Sequence, residues 1–297
     1  MVADSQISGL QGLITDEILA AFGVRSKSWL RGALAPIFWL PSNSFARMIA
    51  KIDGVVGEEG LQAAAADLLP RFTDDVLVSG IENVPPEGPL LIASNHPGAY
   101  DGVAILANIM RQDVKLVVSD VPFIRSLPAI SSHMIYTPAS IQSRMAAIRA
   151  LIRHLKTGGA ALIFASGRVD PDPALLPGAS ENLGLWSSSL ELVMRQVPQT
   201  RLLVSIVSGV LAPACLHSPL TRLVDEPWRR LKLAEFLQVI QQLVLKRNFG
   251  LRPQVYFDLP HTASELLAEA PSADLQGAII QRAREALALH LAYVETS

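Results

Sequence analysis

From residue 76 onward, short apolar runs alternate with longer stretches of helical spacing, and this alternation restricts the fold more than any other feature of the chain. Apolar runs of this length are typical of buried strands. The strands are predicted at 76–79, 89–94, 114–118, 134–137, 160–165, 202–208 and 254–258. Helices are predicted between them, at 101–111, 141–157, 182–197, 228–248 and 273–293. Such alternation indicates a layered α/β domain with a mostly parallel sheet flanked by helices.

Residues 1–75 have a different pattern, in which apolar residues recur at helical spacing. Three prolines interrupt the region, and residues 63–66 are all alanine, the residue with the highest helix propensity. We therefore predict an N-terminal helical region at 1–75 and an α/β domain at 76–297. No histidine occurs in the first of these regions, so we assign it no chemistry.

The strand predicted at 89–94 leads directly into Asn-His-Pro-Gly-Ala-Tyr-Asp, so His96 and Asp101 follow a strand end. Side chains at strand ends of α/β sheets are placed to meet substrates. A neutral imidazole can remove a proton from a hydroxyl, and a carboxylate behind it fixes its tautomer and stabilises the imidazolium. A tight turn over 97–100 would bring the carboxylate back to the ring. The alternative is that Asp101 only caps a helix.

The strand predicted at 160–165 also ends in a polar turn, which contains Ser166, Gly167 and Arg168. Backbone amides in such a turn, with an arginine beside them, can bind an anion. Arginine suits phosphate because its planar guanidinium donates two parallel hydrogen bonds. An ordinary loop with a surface arginine is the alternative. An acid/base pair at one strand end and an anion site at another together favour a functional site.

The two segments together resemble the glycerophospholipid acyltransferase family, which includes glycerol-3-phosphate and lysophosphatidic acid acyltransferases. The first sequence block of that family is Asn-His, four residues and Asp at a strand end, and Asn95, His96 and Asp101 match it. The resemblance extends over about residues 76–210. It implies transfer of an acyl group from acyl-CoA or acyl carrier protein to a hydroxyl, without a metal, a cofactor or a covalent enzyme intermediate.

The third block of the family is Phe-Pro-Glu-Gly followed by Thr-Arg or Ser-Arg. Phe164, Gly167 and Arg168 fit it loosely, whereas Ser166 stands where the glutamate would be. The run Ser-Gly-Arg is closer to the Ser-Gly-Gly-Arg block of the soluble plant-plastid glycerol-3-phosphate acyltransferases. This departure puts the identity of the acceptor in question more than the type of reaction.

The second block, an apolar strand that ends in an arginine, should fall near residues 134–138, where no arginine occurs. Arg144 is the nearest candidate and begins the helix predicted at 141–157. In the resulting prediction, His96 is the general base, Asp101 orients it, and backbone amides near Gly98 or at the following helix N-terminus hold the oxyanion. The predicted substrate-binding residues are Asn95, Gly98, Ser166, Gly167, Arg168 and Arg144.

Half of the residues are hydrophobic and only 18% are charged, compared with about a quarter in an average soluble domain. This composition indicates either a large core or a surface that contacts a bilayer. Trp29, Phe38 and Trp39 suit the headgroup region, because indoles favour that boundary. The alternative is an N-terminal helix packed on the main domain. We expect a cytoplasmic protein, peripheral at the cytoplasmic face of the membrane.

The expected partners are an acyl donor thioester and a phosphorylated glycerolipid acceptor. The net charge of −2 gives no support for nucleic-acid binding. The single cysteine, Cys215, excludes an intrachain disulfide and a metal site with several cysteines. Acceptor identity, acyl chain length and oligomeric state do not follow from the sequence.

Two other functions remain open at this point. The same reaction could use a different lipid acceptor, an amine or a glycolipid, or the chain could be a non-catalytic lipid-binding protein, which its apolar composition would suit. A serine esterase is disfavoured, because no Gly-x-Ser-x-Gly sequence occurs.

Overall fold

The computed structural model describes residues 4–21, 23–24, 29–137 and 140–294. Within these ranges the chain forms a seven-stranded sheet with helices packed on both faces. The strands are β1 (Leu77–Ser79), β2 (Leu90–Ser94), β3 (Val114–Ser119), β4 (Met134–Thr137), β5 (Ala160–Phe164), β6 (Arg201–Ser208) and β7 (Gln254–Phe257). Each predicted strand is therefore confirmed, with bounds within one residue of those expected.

The strand order is β1-β7-β6-β2-β5-β3-β4. The five strands from β6 to β4 in this order run parallel to one another, and β7 runs antiparallel to β6 and parallel to β1. The prediction of a mostly parallel α/β sheet is thus confirmed. Because β2 lies between β6 and β5, the loops that follow these three strands meet at the same edge of the sheet.

The helices of the described residues surround this sheet. They are α1 (Asp4–Ala21), α2 (Trp29–Leu34), α3 (Trp39–Glu59), α4 (Leu61–Leu68), α5 (Asp101–Asn108), α6 (Pro122–Arg125), α7 (Pro128–Ser132), α8 (Ile141–Lys156), α9 (Ala179–Leu183), α10 (Ser189–Gln196), α11 (Pro213–Leu216), α12 (Pro227–Leu245), α13 (Ala263–Glu269) and α14 (Leu275–Val294). Short 3-10 helices occur at Leu69–Arg71, Ile81–Asn83 and Pro219–Leu223.

The helix predicted at 182–197 is divided into α9 and α10. Trp186 is buried between them, and the N–H of Ser187 donates to the carbonyl of Ala165 at the end of β5. The chain leaves helical geometry there because this tertiary contact uses backbone groups that a continuous helix would engage internally.

Side chains that alternate along β2 divide the core into two layers. Leu90 and Ile92 face a cluster that includes buried residues of α1, α3, α4 and α5. Leu91 and Ala93 face a second cluster, formed with α8, α10 and α14. The N-terminal helices therefore cover one face of the sheet and share its core, and the boundary at residue 75 stays a prediction.

Part of the N-terminal region is apolar and exposed. Trp29, Ile37, Trp39 and Leu40 are 80%, 66%, 56% and 51% exposed, and we call these four residues the N-terminal apolar patch. Among the described residues, no helix combines the length and the apolar character needed to cross a bilayer.

Candidate active site

His96 and Asp101 form a hydrogen-bonded pair at the carboxyl end of β2. The chain turns between β2 and α5, and Nδ1 of His96 lies 2.7 Å from Oδ2 of Asp101. The same oxygen accepts the N–H of Gly98 at 3.1 Å, and the other oxygen accepts the N–H of Gly102 at 2.5 Å. Asp101 begins α5 without being its N-cap, which is Tyr100. The turn therefore brings the carboxylate to the imidazole, as the spacing predicts.

The imidazole of His96 is fixed in orientation and open on one side. Its ring stacks on Phe164, the last residue of β5, with a centroid distance of 4.3 Å and an interplanar angle of 23°. The side chain of His96 is 26% exposed, whereas that of Asp101 is 2% exposed. Because Nδ1 faces Asp101, the neutral ring carries its lone pair on Nε2, for which no described residue is a hydrogen-bond partner.

The surroundings of His96 favour its charged form. Burial lowers the pKa of His96, but the charge and the hydrogen bond of Asp101 outweigh it, with smaller contributions from Glu235 and Asp170. The net effect raises the pKa of His96 to about 9. The free imidazole is therefore a stronger base than an ordinary histidine, and it is mostly protonated at neutral pH before substrates bind.

Asn95 fixes the chain directly before His96. Its Nδ2 donates to the carbonyl of Val207 on β6 at 2.8 Å, and its Oδ1 accepts the N–H of Val207 at 2.8 Å. The residue is only 4% exposed. Asn95 was predicted to bind substrate, but in the structure its amide joins the ends of β2 and β6. Its contribution to catalysis would therefore pass through the position of His96.

Asp170 holds the backbone of His96 from the loop after β5. Its Oδ2 accepts the N–H of His96 at 2.9 Å, and its own N–H donates to the carbonyl of His96 at 2.7 Å. Oδ1 accepts the hydroxyl of Ser166 at 2.6 Å and the amide of Asn182. Burial raises the pKa of the Asp170 carboxyl, although these hydrogen bonds oppose the shift. The sequence interpretation missed this role.

The loop of Ser166, Gly167 and Arg168 lies directly beside this anchor. Gly167 has a φ of +69°, a conformation that favours glycine, and its N–H closes a turn on the carbonyl of Phe164 at 3.0 Å. The hydroxyl oxygen of Ser166 also accepts the N–H of Arg168 at 3.3 Å and lies 2.9 Å from the carbonyl oxygen of Arg168, so Ser166 shapes the loop. Arg168 is exposed. No carboxylate oxygen of the described residues lies within 4.0 Å of its guanidinium nitrogens.

Residues 75–195 match the family model described as Acyltransferase. This part of the chain is an acyltransferase domain. The matched residues contain both the His96–Asp101 pair and the loop of Arg168, so the prediction of an acyltransferase is confirmed.

Among solved structures, the chain is similar to the 1-acyl-sn-glycerophosphate (LPA) acyltransferase PlsC from Thermotoga maritima. The identity is 14%, with 95% of this chain and 97% of that chain covered and a TM-score of 0.42. Similarity at this level adds nothing to the assignment of substrates. No curated protein sequence matches the chain.

The amide of Gly98 in the acyltransferase domain is already engaged by Asp101. A Cβ at Gly98 would lie 3.2 Å from Cγ2 of Val210, so these two loops approach each other closely at this residue. Gly98 therefore supports the His96–Asp101 pair, and its N–H is not free to bind a substrate oxygen.

Arg144 lies apart from the other predicted site residues. It is exposed on the first turn of α8, and β4, which precedes α8, is three strand positions from β2. Adjacent strands are about 4.8 Å apart, so this offset is roughly 14 Å. No hydrogen bond or ion pair within the described residues links Arg144 to His96 or Arg168. Pro138, at the end of the expected second block, lies outside the described residues.

Two further carboxylates, Asp172 and Glu235, escaped the sequence interpretation. Asp172 is buried and accepts four backbone N–H groups, from Ala174, Gly209, Val210 and Leu211. It thereby ties the loop after β5 to the loop after β6. Glu235, on α12, interacts electrostatically with both His96 and Asp101. No motif marks Glu235, because it lies within a helix far along the chain. The described residues contain no cluster of three or more His, Cys, Asp and Glu side chains suited to a metal ion.

Proposed function

We propose that this acyltransferase domain transfers a fatty acyl group from acyl-CoA or acyl carrier protein to a hydroxyl of glycerol-3-phosphate or lysophosphatidic acid, in phospholipid synthesis. The observation that carries the proposal is the His96–Asp101 pair, whose Nε2 is open at the carboxyl edge of the sheet. The family match to residues 75–195 supports acyl transfer as the reaction.

In the proposed mechanism, neutral His96 accepts the proton of the acceptor hydroxyl on Nε2 while the hydroxyl oxygen attacks the thioester carbonyl carbon. The electron pair of the carbonyl moves onto its oxygen, which backbone amides near the N-terminus of α5 stabilise. When the intermediate collapses, the carbon–sulfur bond breaks and the imidazolium returns the proton to the leaving thiolate. The products are an ester and a free thiol, and Asp101 stabilises the imidazolium between the two proton transfers.

Arg168 is proposed to bind the phosphate of the acceptor. It follows β5, the strand next to β2, and its guanidinium has no carboxylate partner among the described residues. An exposed cation beside a general base suits an acceptor that carries a phosphate and a hydroxyl a few bonds apart. Ser166 and Gly167 contribute through the conformation of the same loop.

The test is release of free thiol from palmitoyl-CoA, with and without glycerol-3-phosphate or lysophosphatidic acid. We expect acceptor-dependent release by the wild type, and its loss in His96→Ala. His217→Ala is the matched control, since His217 is exposed at the end of α11 and should leave the rate unchanged. Appreciable acceptor-dependent release by His96→Ala would overturn the role of His96, and repetition with acyl carrier protein identifies the donor.

A different lipid acceptor is the second candidate. The glutamate of the family's third block is replaced here by Ser166, whose hydroxyl bonds inward to Asp170. The loop therefore offers the acceptor a cation and backbone groups but no carboxylate. Thiol release that depends on an amine or a glycolipid, and not on either glycerophosphate, would favour this candidate. Lipid binding without turnover on any donor would favour a non-catalytic protein.

We also propose that the domain works at the cytoplasmic face of a membrane, as a peripheral protein. The N-terminal apolar patch supports this, since two of its four residues are tryptophans with more than half of their surface exposed. Indole rings favour the boundary between headgroups and acyl chains, where lysophosphatidic acid also resides.

A further inference from the structure

Helix α12 is fastened across the loops that carry the site. Oε1 of Gln242 accepts the hydroxyl of Tyr100 at 2.5 Å, and Tyr100 directly precedes Asp101. Nε2 of Gln238 donates to the carbonyl of Val210, in the loop after β6, at 2.8 Å. Both glutamines are buried. They fix one face of α12 against the loops after β2 and β6.

Glu235 lies on this same face, one helical turn before Gln238. The carboxylate is partly buried, and it makes no hydrogen bond or ion pair with any other described residue. Its electrostatic interactions are with His96, Asp101 and Lys232, and Lys232 is itself paired with Glu17 at 3.4 Å. A carboxylate that is partly removed from water and lacks a hydrogen-bond partner is stabilised when a cation develops nearby.

Of the two cations that interact electrostatically with Glu235, the imidazolium of His96 has the larger effect. Burial raises the pKa of Glu235 and Asp101 raises it further, whereas His96 and Lys232 lower it, and the result is a pKa of about 7. The negative charge of Glu235 in turn raises the pKa of His96. Between pH about 7 and about 9, the free site thus holds ionised Glu235 and protonated His96.

We propose that Glu235 is a positioning residue of the acyl transfer site, whose carboxylate on α12 stabilises the His96 imidazolium together with Asp101 on α5. This inference rests on the proposed role of His96 as general base. The other charged groups that face His96 are Asp101 and Asp170, and the phenol of Tyr100 lies between α5 and α12. Asp101 fixes the ring through a hydrogen bond, and Glu235 acts through its charge alone.

The test is a titration of the histidine ring signals by NMR in the full chain, for the wild type and for Glu235→Gln. The signal of His96 is identified by its absence in His96→Ala. We expect Glu235→Gln to lower the pKa of His96 by about half a pH unit or more, because an imidazolium loses a nearby negative charge. Glu226→Gln is the matched control, since Glu226 precedes the same helix, is exposed and pairs with Arg229.

In Glu235→Gln, the acidic limb of the pH profile of kcat/KM should shift to lower pH by the same amount as the pKa of His96. Glu235→Asp keeps the charge, and its profile should stay close to that of the wild type. A His96 titration that differs by less than about 0.2 pH units between Glu235→Gln and the wild type would overturn the proposal.

The two proposals fail in distinguishable ways. If Glu235→Gln lowers the pKa of His96 but no acceptor supports thiol release by the wild type, acyl transfer is overturned while the interaction of Glu235 with His96 stands. If the wild type transfers acyl groups but Glu235→Gln has the wild-type profile, the role of Glu235 is overturned and acyl transfer stands. A fold defect in Glu235→Gln would appear in the signals of all histidines, and Glu235→Asp then decides the question.

Discussion

Asp170 and His96 hold each other by two reciprocal hydrogen bonds. The N–H of His96 donates to Oδ2 of Asp170 at 2.9 Å, and the N–H of Asp170 donates to the carbonyl of His96 at 2.7 Å. The loop after β2 and the loop after β5 are thereby joined at the residue that carries the imidazole. The position of the proposed general base thus depends on a carboxylate whose two oxygens are engaged by the N–H of His96, the hydroxyl of Ser166 and the amide of Asn182.

Replacing Asp170 should therefore lower activity without removing a reacting group. We expect Asp170→Ala to lower kcat by about 100-fold, because small displacements of a catalytic group have effects of this size. Asp170→Asn keeps a carbonyl oxygen for the N–H of His96 and should lose less. Rates are compared well below the unfolding temperature of each variant, since the lost hydrogen bonds should also cost about 1–3 kcal/mol of stability. A wild-type kcat in a folded Asp170→Ala protein would contradict this account.

The raised pKa of His96 predicts a distinctive pH dependence. The base acts when it is neutral, so kcat/KM should increase with pH, about tenfold per pH unit, and level off near the pKa of about 9. An ordinary histidine would level off near 6.5. The measurement is the initial rate of thiol release across pH 6–10, corrected for the uncatalysed hydrolysis of the thioester. A profile that is flat above pH 7 would show that neutral His96 already dominates there, against this prediction.

The fold and the centre of the site follow from short-range patterns. The strands are recognisable because β2 and its neighbours are buried on both faces and therefore consist of continuous apolar runs. His96 and Asp101 are recognisable because only one turn of the chain separates them. Their short separation in the sequence therefore also places their side chains close together in space. Arrangements that are local in the chain can be derived from residue types and spacing alone.

The supporting contacts could not be derived in the same way. Asp170 meets His96 across 74 residues, and Asn95 meets Val207 across 112. Such pairs depend on which strands become neighbours, and several orders of a parallel sheet satisfy the same pattern of strands and helices. The same reason explains why the prediction for Arg144 could not be made reliably from the sequence. Arg144 is close in sequence to the expected second block, but β3 and β5 lie between β4 and β2 in the sheet.

The positions of the two arginines predict unequal effects on acceptor binding. Arg168→Ala should raise the KM for a phosphorylated acceptor by about tenfold. A hydrogen bond between charged groups contributes about 1.5 kcal/mol of binding free energy, which corresponds to about this change in KM. Arg144→Ala should change it by less than about twofold, because of the offset of its strand from β2. Steady-state kinetics at several salt concentrations check both, because added salt should weaken the contribution of Arg168. Equal effects of the two variants would mean that α8 reaches the acceptor.

The N-terminal apolar patch predicts association with lipid vesicles. Trp29→Ser combined with Trp39→Ser should lower the bound fraction by about tenfold or more, because each exposed indole that enters the interface transfers a large apolar surface. Flotation with phosphatidylglycerol-containing vesicles measures the bound fraction. The control is Trp228→Ser, since Trp228 is 40% exposed on α12, away from the patch in sequence, and stacks against Arg229. Thiol release with water-soluble glycerol-3-phosphate should persist in the double variant, because His96 and Asp101 are unchanged. Vesicle binding that survives the double variant would place the membrane contact elsewhere on the surface.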